Sequence, residues 1–255
     1  MGKKKLIITG CGIKSLAHLT EESKAAIEQA DLVLYLVNEP IAAQWIQNKS
    51  KQNESLENLY FNENIRINAY KKIADQILHR TITHDNICVV VYGHPLLLSN
   101  SIEHVIKQID RNIIELTVIP AISAFDCLLA DLEIDPLNGC FSIEANELIN
   151  KNKQIDPTNH LIIWQVGLIN DVHSKENHNL YDIKALKKKL LQTYDMEHEC
   201  ILYESSMYPH IPCKKITTII SNIDQMPISR ITTAYIPPIS SNLSFSRLKG
   251  PSIIS

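Results

Sequence analysis

One stretch of the chain joins a buried-strand pattern to a loop whose residue types suit a bound ligand. Residues 89–91 are all valine, a β-branched apolar run typical of a strand covered on both faces. Gly93 lets the backbone turn or approach a ligand closely, and Pro95 keeps His94 out of helical geometry. Tyr92 then lies at the carboxyl end of the strand, where open α/β sheets bind their ligands. This pattern predicts either a ligand loop or an ordinary turn from strand to helix.

Composition excludes several classes of protein. The chain has 255 residues, a net charge of -3 and 45% hydrophobic residues, which is ordinary for a globular protein and argues against nucleic-acid binding. No apolar run approaches the ~20 residues of a membrane helix, so we expect no membrane association. None of the 6 cysteines forms a C-x-x-C pair, and we expect reduced thiols in a cytoplasmic protein. The 10 histidines form no spaced ligand set, which predicts no metal site.

Short apolar runs alternate with amphipathic stretches, which predicts an α/β fold with a mostly parallel sheet in the first half. The second half predicts a mixed sheet. We expect an N-terminal domain over residues 1–118, a C-terminal α/β domain over 119–243 and a short tail over 244–255. Two polar stretches, 48–58 and 170–179, are predicted to be loops.

Four motifs in order resemble the tetrapyrrole methylase superfamily over residues 6 to about 240. They are Gly10-Cys11-Gly12, the loop from Tyr92 to Pro95, the run 119–123, and Trp164-Gln165 at the end of a predicted strand. The resemblance implies two α/β domains with an S-adenosylmethionine site in the cleft between them. Members usually carry aspartate where this chain has His94 and glycine where it has Ala121. Because alanine permits fewer backbone conformations than glycine, we expect the second loop to differ slightly in shape from that of other members.

A longer match is to the borosin α-N-methyltransferases, which methylate backbone amides of peptides. Residues 120–136 are very similar to that subfamily, as are Glu144-Ala145, 160–165 and 236–238. The resemblance implies peptide N-methylation in the biosynthesis of ribosomally made natural products, with S-adenosyl-L-methionine as cofactor and S-adenosyl-L-homocysteine as product.

An amide nitrogen is a poor nucleophile, because its lone pair is delocalised into the carbonyl. A tyrosine beside an arginine can take the amide proton or stabilise the developing oxyanion. The resemblance makes Tyr60, Arg66 and Tyr70 catalytic candidates, with Tyr92 as a fourth at the cofactor methyl group. Arg66 and Tyr70 share a face if a helix begins by residue 66. Without the resemblance, we would interpret Tyr60 and Tyr70 as half-buried packing residues and Arg66 as a surface charge. Which tyrosine is the base stays open.

The resemblance also implies cofactor contacts from both predicted domains. They are Tyr92, Gly93, His94, Pro95 and Leu97 in the first loop, Ser123 and Ala124 in the second, and Gln165, Thr232 and Thr233 in the C-terminal domain. We interpret His94 as a hydrogen-bonding group of the loop rather than as an isolated general base.

The substrate is expected to be a separate precursor protein, because the chain ends about fifteen residues after Pro238. Family members are dimers, so we expect a homodimer bound by two precursor chains. Two alternatives stay open. One is a methyltransferase of a tetrapyrrole or another small molecule, and the other is a non-catalytic S-adenosylmethionine-binding module.

Overall fold

The computed structural model describes residues 3–174 and 182–239, which form two compact units. The first unit holds 3–134, 171–174 and 205–214, and the second holds 135–170, 182–204 and 215–239. Residues 119–134 belong to the first unit. The Ile119 N–H donates to the Ile8 carbonyl over 2.8 Å and so extends the sheet of that unit. The predicted division at residue 118 stays a prediction, and the predicted tail lies outside the described residues.

The first unit is built on a sheet whose registered strand pairs are all parallel, in the order β3-β2-β4-β1-β5. Its strands are β1 Lys4–Gly10, β2 Leu32–Leu36, β3 Asn53–Ser55, β4 Asn86–Val91 and β5 Ile114–Val118. Its helices are α1 Glu21–Gln29, α2 Pro40–Lys49, α3 Glu57–Phe61, α4 Arg66–Thr83, α5 Asn100–Gln108 and α6 Ala124–Leu132.

Strand β4 is central in this sheet, and its side chains contribute to apolar clusters on both faces. Ile87 and Val89 belong to one cluster, Cys88 and Val90 to another, and each is 0% exposed. This burial agrees with the β-branched apolar pattern, since a central parallel strand has no face in water. The loop that follows β4 therefore starts from a rigid support.

The second unit contains a mixed sheet in the order β6-β7-β10-β8-β9. Its strands are β6 Cys140–Glu144, β7 His160–Trp164, β8 Glu199–Glu204, β9 Lys214–Ile219 and β10 Thr233–Ile236, with helices α7 Ala145–Asn150 and α8 Ile183–Leu190. Strands β6 and β7 are parallel, whereas β10 is antiparallel to both β7 and β8. The α/β class and the mixed second sheet are confirmed.

The polar stretch 48–58 differs from its prediction as a loop. It contains edge strand β3 and the start of α3, and β3 pairs with β2 through Asn53, Glu54 and Ser55. Glu54 also accepts from the Arg80 Nε at 2.9 Å and from the Gln76 Nε2 at 2.6 Å on α4. A short edge strand of polar residues has no apolar alternation, so periodicity gave no signal for it.

Candidate active site

The loop after β4 crosses the loop after β1 at very short range. The Gly93 N–H donates to the Gly12 carbonyl over 3.0 Å, and the Gly12 N–H donates back to Gly93 over 3.3 Å. Both glycines adopt positive φ, +74° at Gly12 and +71° at Gly93. A Cβ on Gly10 would lie 1.8 Å from the Gly93 oxygen. The absence of a Cβ at Gly10 therefore allows this close approach of the two loops.

His94 takes part in the internal hydrogen bonding of the same loop. Its Nδ1 accepts from the Leu96 N–H at 3.1 Å, and its carbonyl accepts from the Leu97 N–H at 3.2 Å. Pro95 is buried beside it, whereas Leu96 is 56% exposed. These contacts place His94 as a residue that shapes the loop, and its predicted role in cofactor binding stays a prediction.

Tyr60, Arg66 and Tyr70 are brought together by the consecutive helices α3 and α4. Helix α4 begins at Arg66, so Arg66 and Tyr70 lie one turn apart on one face. The Tyr60 and Tyr70 rings have centroids 6.0 Å apart. The Tyr70 phenol also interacts electrostatically with both Tyr60 and Arg66. Two of the predicted catalytic groups therefore lie near the third.

Burial raises the pKa of the Tyr70 phenol to about 12. A second phenol at Tyr60 adds to this shift, and the Arg66 guanidinium opposes it by stabilising the phenolate. The pKa of Tyr92 is also raised, mainly by burial, and its hydroxyl donates to the Ile13 carbonyl over 3.4 Å. At neutral pH both Tyr70 and Tyr92 are therefore neutral phenols that can donate hydrogen bonds.

A pocket of about 270 Å³ lies between these side chains in the first unit. Tyr60, Tyr70 and Tyr92 all line it. The other lining residues are Leu36, Asn38, Glu57, Phe61, Val91, Leu97, Leu98, Ser99, Asn100 and Ser101. Arg66 is outside the lining and reaches the site through Tyr70. The pocket joins three phenols to apolar walls, which suits a small organic group that carries a polar atom.

Ser123 and Ala124, predicted to contact the cofactor, form the start of α6. The Ser123 hydroxyl donates to Asp126 Oδ2 at 2.6 Å and accepts from the Phe125 and Asp126 N–H groups at 3.1 and 3.2 Å. The Asp126 carboxylate in turn accepts from the Ser123 N–H at 2.6 Å, which completes a capping box. The Ser123 hydroxyl is therefore already engaged in holding the helix terminus.

The second unit brings Gln165 and Thr232 together. Gln165 follows β7 in a left-handed conformation with φ of 57°, and the next N–H, of Val166, donates to the Thr232 carbonyl over 3.1 Å. The Thr232 hydroxyl is 1% exposed, donates to Glu204 Oε1 at 2.6 Å and accepts from the Ser229 N–H at 2.8 Å. Its neighbour Thr233 lies in β10 opposite Tyr203 of β8.

Residues 5–204 match the family model described as Tetrapyrrole (Corrin/Porphyrin) Methylases. The chain belongs to the tetrapyrrole methylase family. The predicted resemblance is thereby confirmed, and the prediction of a methyltransferase is confirmed at the level of the family. Among the residues that the structure describes, no cluster of histidine, cysteine and carboxylate side chains could hold a metal ion, and no helix is long and apolar enough to cross a membrane.

Curated relatives of this chain include fungal proteins whose names combine a methyltransferase and a peptide precursor. The type III borosin cyclic peptide precursor of Anomoporia bombycina is 31% identical over 92% of this chain and 28% of its own length. The gymnopeptide precursor of Gymnopus fusipes is 31% identical over 97% of this chain and 59% of its own length. The chain thus spans between about a quarter and three fifths of these two relatives.

Solved structures of similar fold include uroporphyrin-III-C-methyltransferase from Thermus thermophilus, with a TM-score of 0.64 at 12% identity over 92% of both chains. The cobalt precorrin-4 methyltransferase structure has a TM-score of 0.62 at 15% identity, covering 91% of this chain and 94% of its own. At such low identity these structures confirm the fold of the family member and nothing finer.

Sequence reasoning missed two neighbouring residues of the first unit, Asn38 and Glu39. Asn38 lines the pocket, and Glu39 beside it is 1% exposed. Glu39 accepts from the Ile41 and Ala42 N–H groups at 2.9 and 2.7 Å, and so caps α2. Burial favours the neutral acid, but these and other hydrogen bonds outweigh it and lower the pKa of Glu39. The signal that could have found the cap is a glutamate directly before Pro40 at a helix start.

Proposed function

We propose that the chain is an S-adenosylmethionine-dependent α-N-methyltransferase that methylates backbone amides of a peptide. The observation that carries the proposal is the pocket of Tyr60, Tyr70 and Tyr92, with Arg66 one helical turn before Tyr70 on the same face of α4. A peptide amide needs a donor at its oxygen and an acceptor at its nitrogen before it can be alkylated. Adjacent phenols beside a guanidinium supply both kinds of group in one place.

One phenol of the Tyr60–Tyr70 pair first releases its own proton to solvent, and the resulting phenolate then accepts the proton of the amide N–H. Arg66 stabilises this phenolate, so it forms at lower cost than in an apolar site alone. Tyr92, a neutral phenol at the end of β4, lies across the same pocket and orients the reacting groups. When bound, S-adenosylmethionine supplies an electrophilic methyl group and is converted to S-adenosylhomocysteine.

The cofactor is proposed to use the loops implied by the resemblance, namely Tyr92 to Pro95 with Leu97, Ser123 with Ala124, and Gln165 with Thr232 and Thr233. The close crossing of Gly12 and Gly93 supports this assignment, because it fixes the two loops against each other at the carboxyl ends of β1 and β4. The Ser123 and Thr232 hydroxyls are engaged within the protein, so we assign these two loops backbone contacts rather than hydroxyl contacts.

The methylation reaction is tested by co-expressing the chain with candidate precursor proteins from neighbouring reading frames and analysing them by mass spectrometry. The proposal expects added methyl groups that fragmentation places on backbone nitrogens. Tyr60→Phe and Arg66→Ala should abolish most of this modification while binding of S-adenosylmethionine, measured by calorimetry, is nearly kept. Methylation confined to a tetrapyrrole or another small molecule, or cofactor binding without any turnover, would contradict the proposal.

The peptide is proposed to be a separate precursor, methylated in trans by a homodimer that binds two precursor chains. The fungal relatives named above combine methyltransferase and precursor in one name, so the source of the peptide needs its own test. Incubation of the purified protein with S-adenosylmethionine alone should leave its own mass unchanged. A ladder of methyl additions to the protein itself would overturn the separate precursor, and light scattering of the complex measures the stoichiometry.

A further inference from the structure

Residues 171–174, a segment of the first unit, hold the start of helix α4. The Arg66 N–H donates to the Val172 carbonyl over 2.9 Å, and Ile65 forms an antiparallel bridge with His173. The N-cap residue Ile65 makes no side-chain capping hydrogen bond. One of the N–H groups that every helix leaves unpaired at its start is therefore satisfied by backbone from far along the chain.

The same segment also binds the Arg66 side chain. Nη2 of Arg66 donates to the Asp171 carbonyl oxygen, 105 positions away in sequence, while the guanidinium lies close enough to Tyr70 to stabilise its phenolate. A carbonyl is a neutral acceptor, so this bond orients the guanidinium and leaves its positive charge in place. A carboxylate in that position would have neutralised the charge that Tyr70 needs.

The Asp171 side chain holds the turn that carries this carbonyl. Its Oδ1 accepts from the His173 N–H at 2.9 Å and lies 3.1 Å from His173 Nδ1. The Asp171 side chain is 13% exposed, whereas that of His173 is 44% exposed. An aspartate that bonds the backbone two residues ahead is a recurrent way to fix a turn. The direction of the Asp171 carbonyl therefore depends on its own carboxylate.

We propose that Asp171 is a positioning residue for the methyl transfer, acting through Arg66. Its carboxylate fixes the 171–173 turn, the turn aims the Asp171 carbonyl at Arg66, and the guanidinium is thereby held against Tyr70. This inference rests on the proposed function for its catalytic meaning. The structural part, that Asp171 orders the Arg66 side chain, can be measured without any substrate.

The first test records the side-chain Nε–Hε signals of the 5 arginines by NMR in the full-length protein. Arg66→Lys identifies the Arg66 signal by its loss. Asp171→Ala should shift that signal and broaden or weaken it, whereas Asp171→Asn, which keeps an acceptor oxygen, should largely restore it. The matched control is Asp110→Ala, because Asp110 Oδ1 accepts from the Asn112 N–H at 2.9 Å in a comparable turn elsewhere in the first unit. An Arg66 signal unchanged by Asp171→Ala would overturn the proposal, whatever happens to turnover.

The second test measures the steady-state kinetics of methylation on a precursor protein that the wild-type protein modifies. Asp171→Ala should lower kcat about tenfold with little change in KM, since it disturbs an orienting contact rather than substrate binding. In the Arg66→Ala background the same change should have no further effect, because its target is gone. Equal losses in both backgrounds would overturn the role through Arg66. A wild-type protein that fails on every peptide, yet shows the expected shift of the Arg66 signal, would refute the proposed function and support the positioning by Asp171.

Discussion

The two compact units use buried hydroxyl groups in opposite ways. In the first unit the Tyr60 and Tyr70 side chains line a pocket with their rings 6.0 Å apart, and Tyr70 interacts electrostatically with Arg66. In the second unit the Thr232 hydroxyl is bound between Glu204 and Ser229 and is 1% exposed. The resemblance assigns both regions to one site from sequence alone. Their contacts differ, because the two tyrosines line a pocket of the first unit, whereas the Thr232 hydroxyl is bonded within the second unit.

A comparison of two single residues, Tyr70 in the first unit and Tyr235 in the second, shows the same contrast. Burial raises the pKa of Tyr70 and of Tyr235 to about 12 in each case. Tyr70 lies beside a guanidinium, whereas the Tyr235 hydroxyl lies 2.7 Å from Nδ1 of His160 and their rings stack. A raised tyrosine pKa is therefore no mark of a catalytic residue in this chain, since both regions produce it by burial.

The largest effect that tests this contrast is expected for Arg66→Ala. Removing the cation from the tyrosine pair should lower kcat by about 100-fold or more, which is the usual scale for a group that assists proton transfer. The control is Arg80→Ala on the same helix, where Arg80 Nη2 pairs with Glu54 at 2.6 Å. This ion pair is half-buried, so the control should cost about 1 kcal/mol of stability and keep turnover. Equal losses of turnover in the two variants would break the contrast.

Tyr70→Phe is expected to have the next largest effect. The change removes the hydroxyl that joins Tyr60 to Arg66, so kcat should fall about tenfold or more. Tyr235→Phe should keep full turnover and cost about 1 kcal/mol of unfolding free energy for its hydrogen bond to His160. Steady-state methylation and urea unfolding measure the two quantities. A loss of turnover in Tyr235→Phe would show that the second unit also contributes phenols to the reaction.

Thr232→Val should affect stability rather than chemistry. The valine leaves the Ser229 N–H and one bond of Glu204 unmade in a buried place, which costs about 2 kcal/mol. The control Thr217→Val lies at an exposed position of β9 and should stay within about 0.5 kcal/mol. Urea unfolding measures both, and calorimetry with S-adenosylmethionine accompanies it. Weaker cofactor binding with unchanged stability would show that the Thr232 hydroxyl contacts the cofactor and does not stabilise the core.

The smallest effect concerns alkaline pH. A tyrosine whose folded pKa is raised contributes stability that is fully present below its ordinary pKa of about 10 and is lost as pH rises through the folded value. Tyr70, with a folded pKa of about 12, should therefore weaken the fold between about pH 10 and pH 12. Tyr70→Phe should reduce the slope of unfolding free energy against pH in that range. An unchanged slope, with phenolate absorbance rising near pH 10 in the folded protein, would refute the burial of Tyr70.

Local patterns were enough for the parts of the site that depend on neighbours in sequence. The valine run 89–91 indicated a strand buried on both faces, and β4 is such a strand. The four-residue spacing of Arg66 and Tyr70 predicted one helical face, and α4 begins at Arg66. The segment 170–179, by contrast, was predicted as a surface loop. Its residues 171–174 pair with the start of α4, and the remainder lies outside the described residues.

Sequence by itself determined the α/β class, through apolar periods of two and of three to four residues. Its motifs also determined the family, and the resemblance supplied Tyr60, Arg66 and Tyr70 as catalytic candidates. Tertiary structure alone decided which groups meet. It placed the Asp171 carbonyl on Arg66 across 105 positions, and it engaged the Ser123 and Thr232 hydroxyls within the protein. Such contacts carry no local signature, because a backbone carbonyl is the same group at every residue and only the folded chain selects its partner.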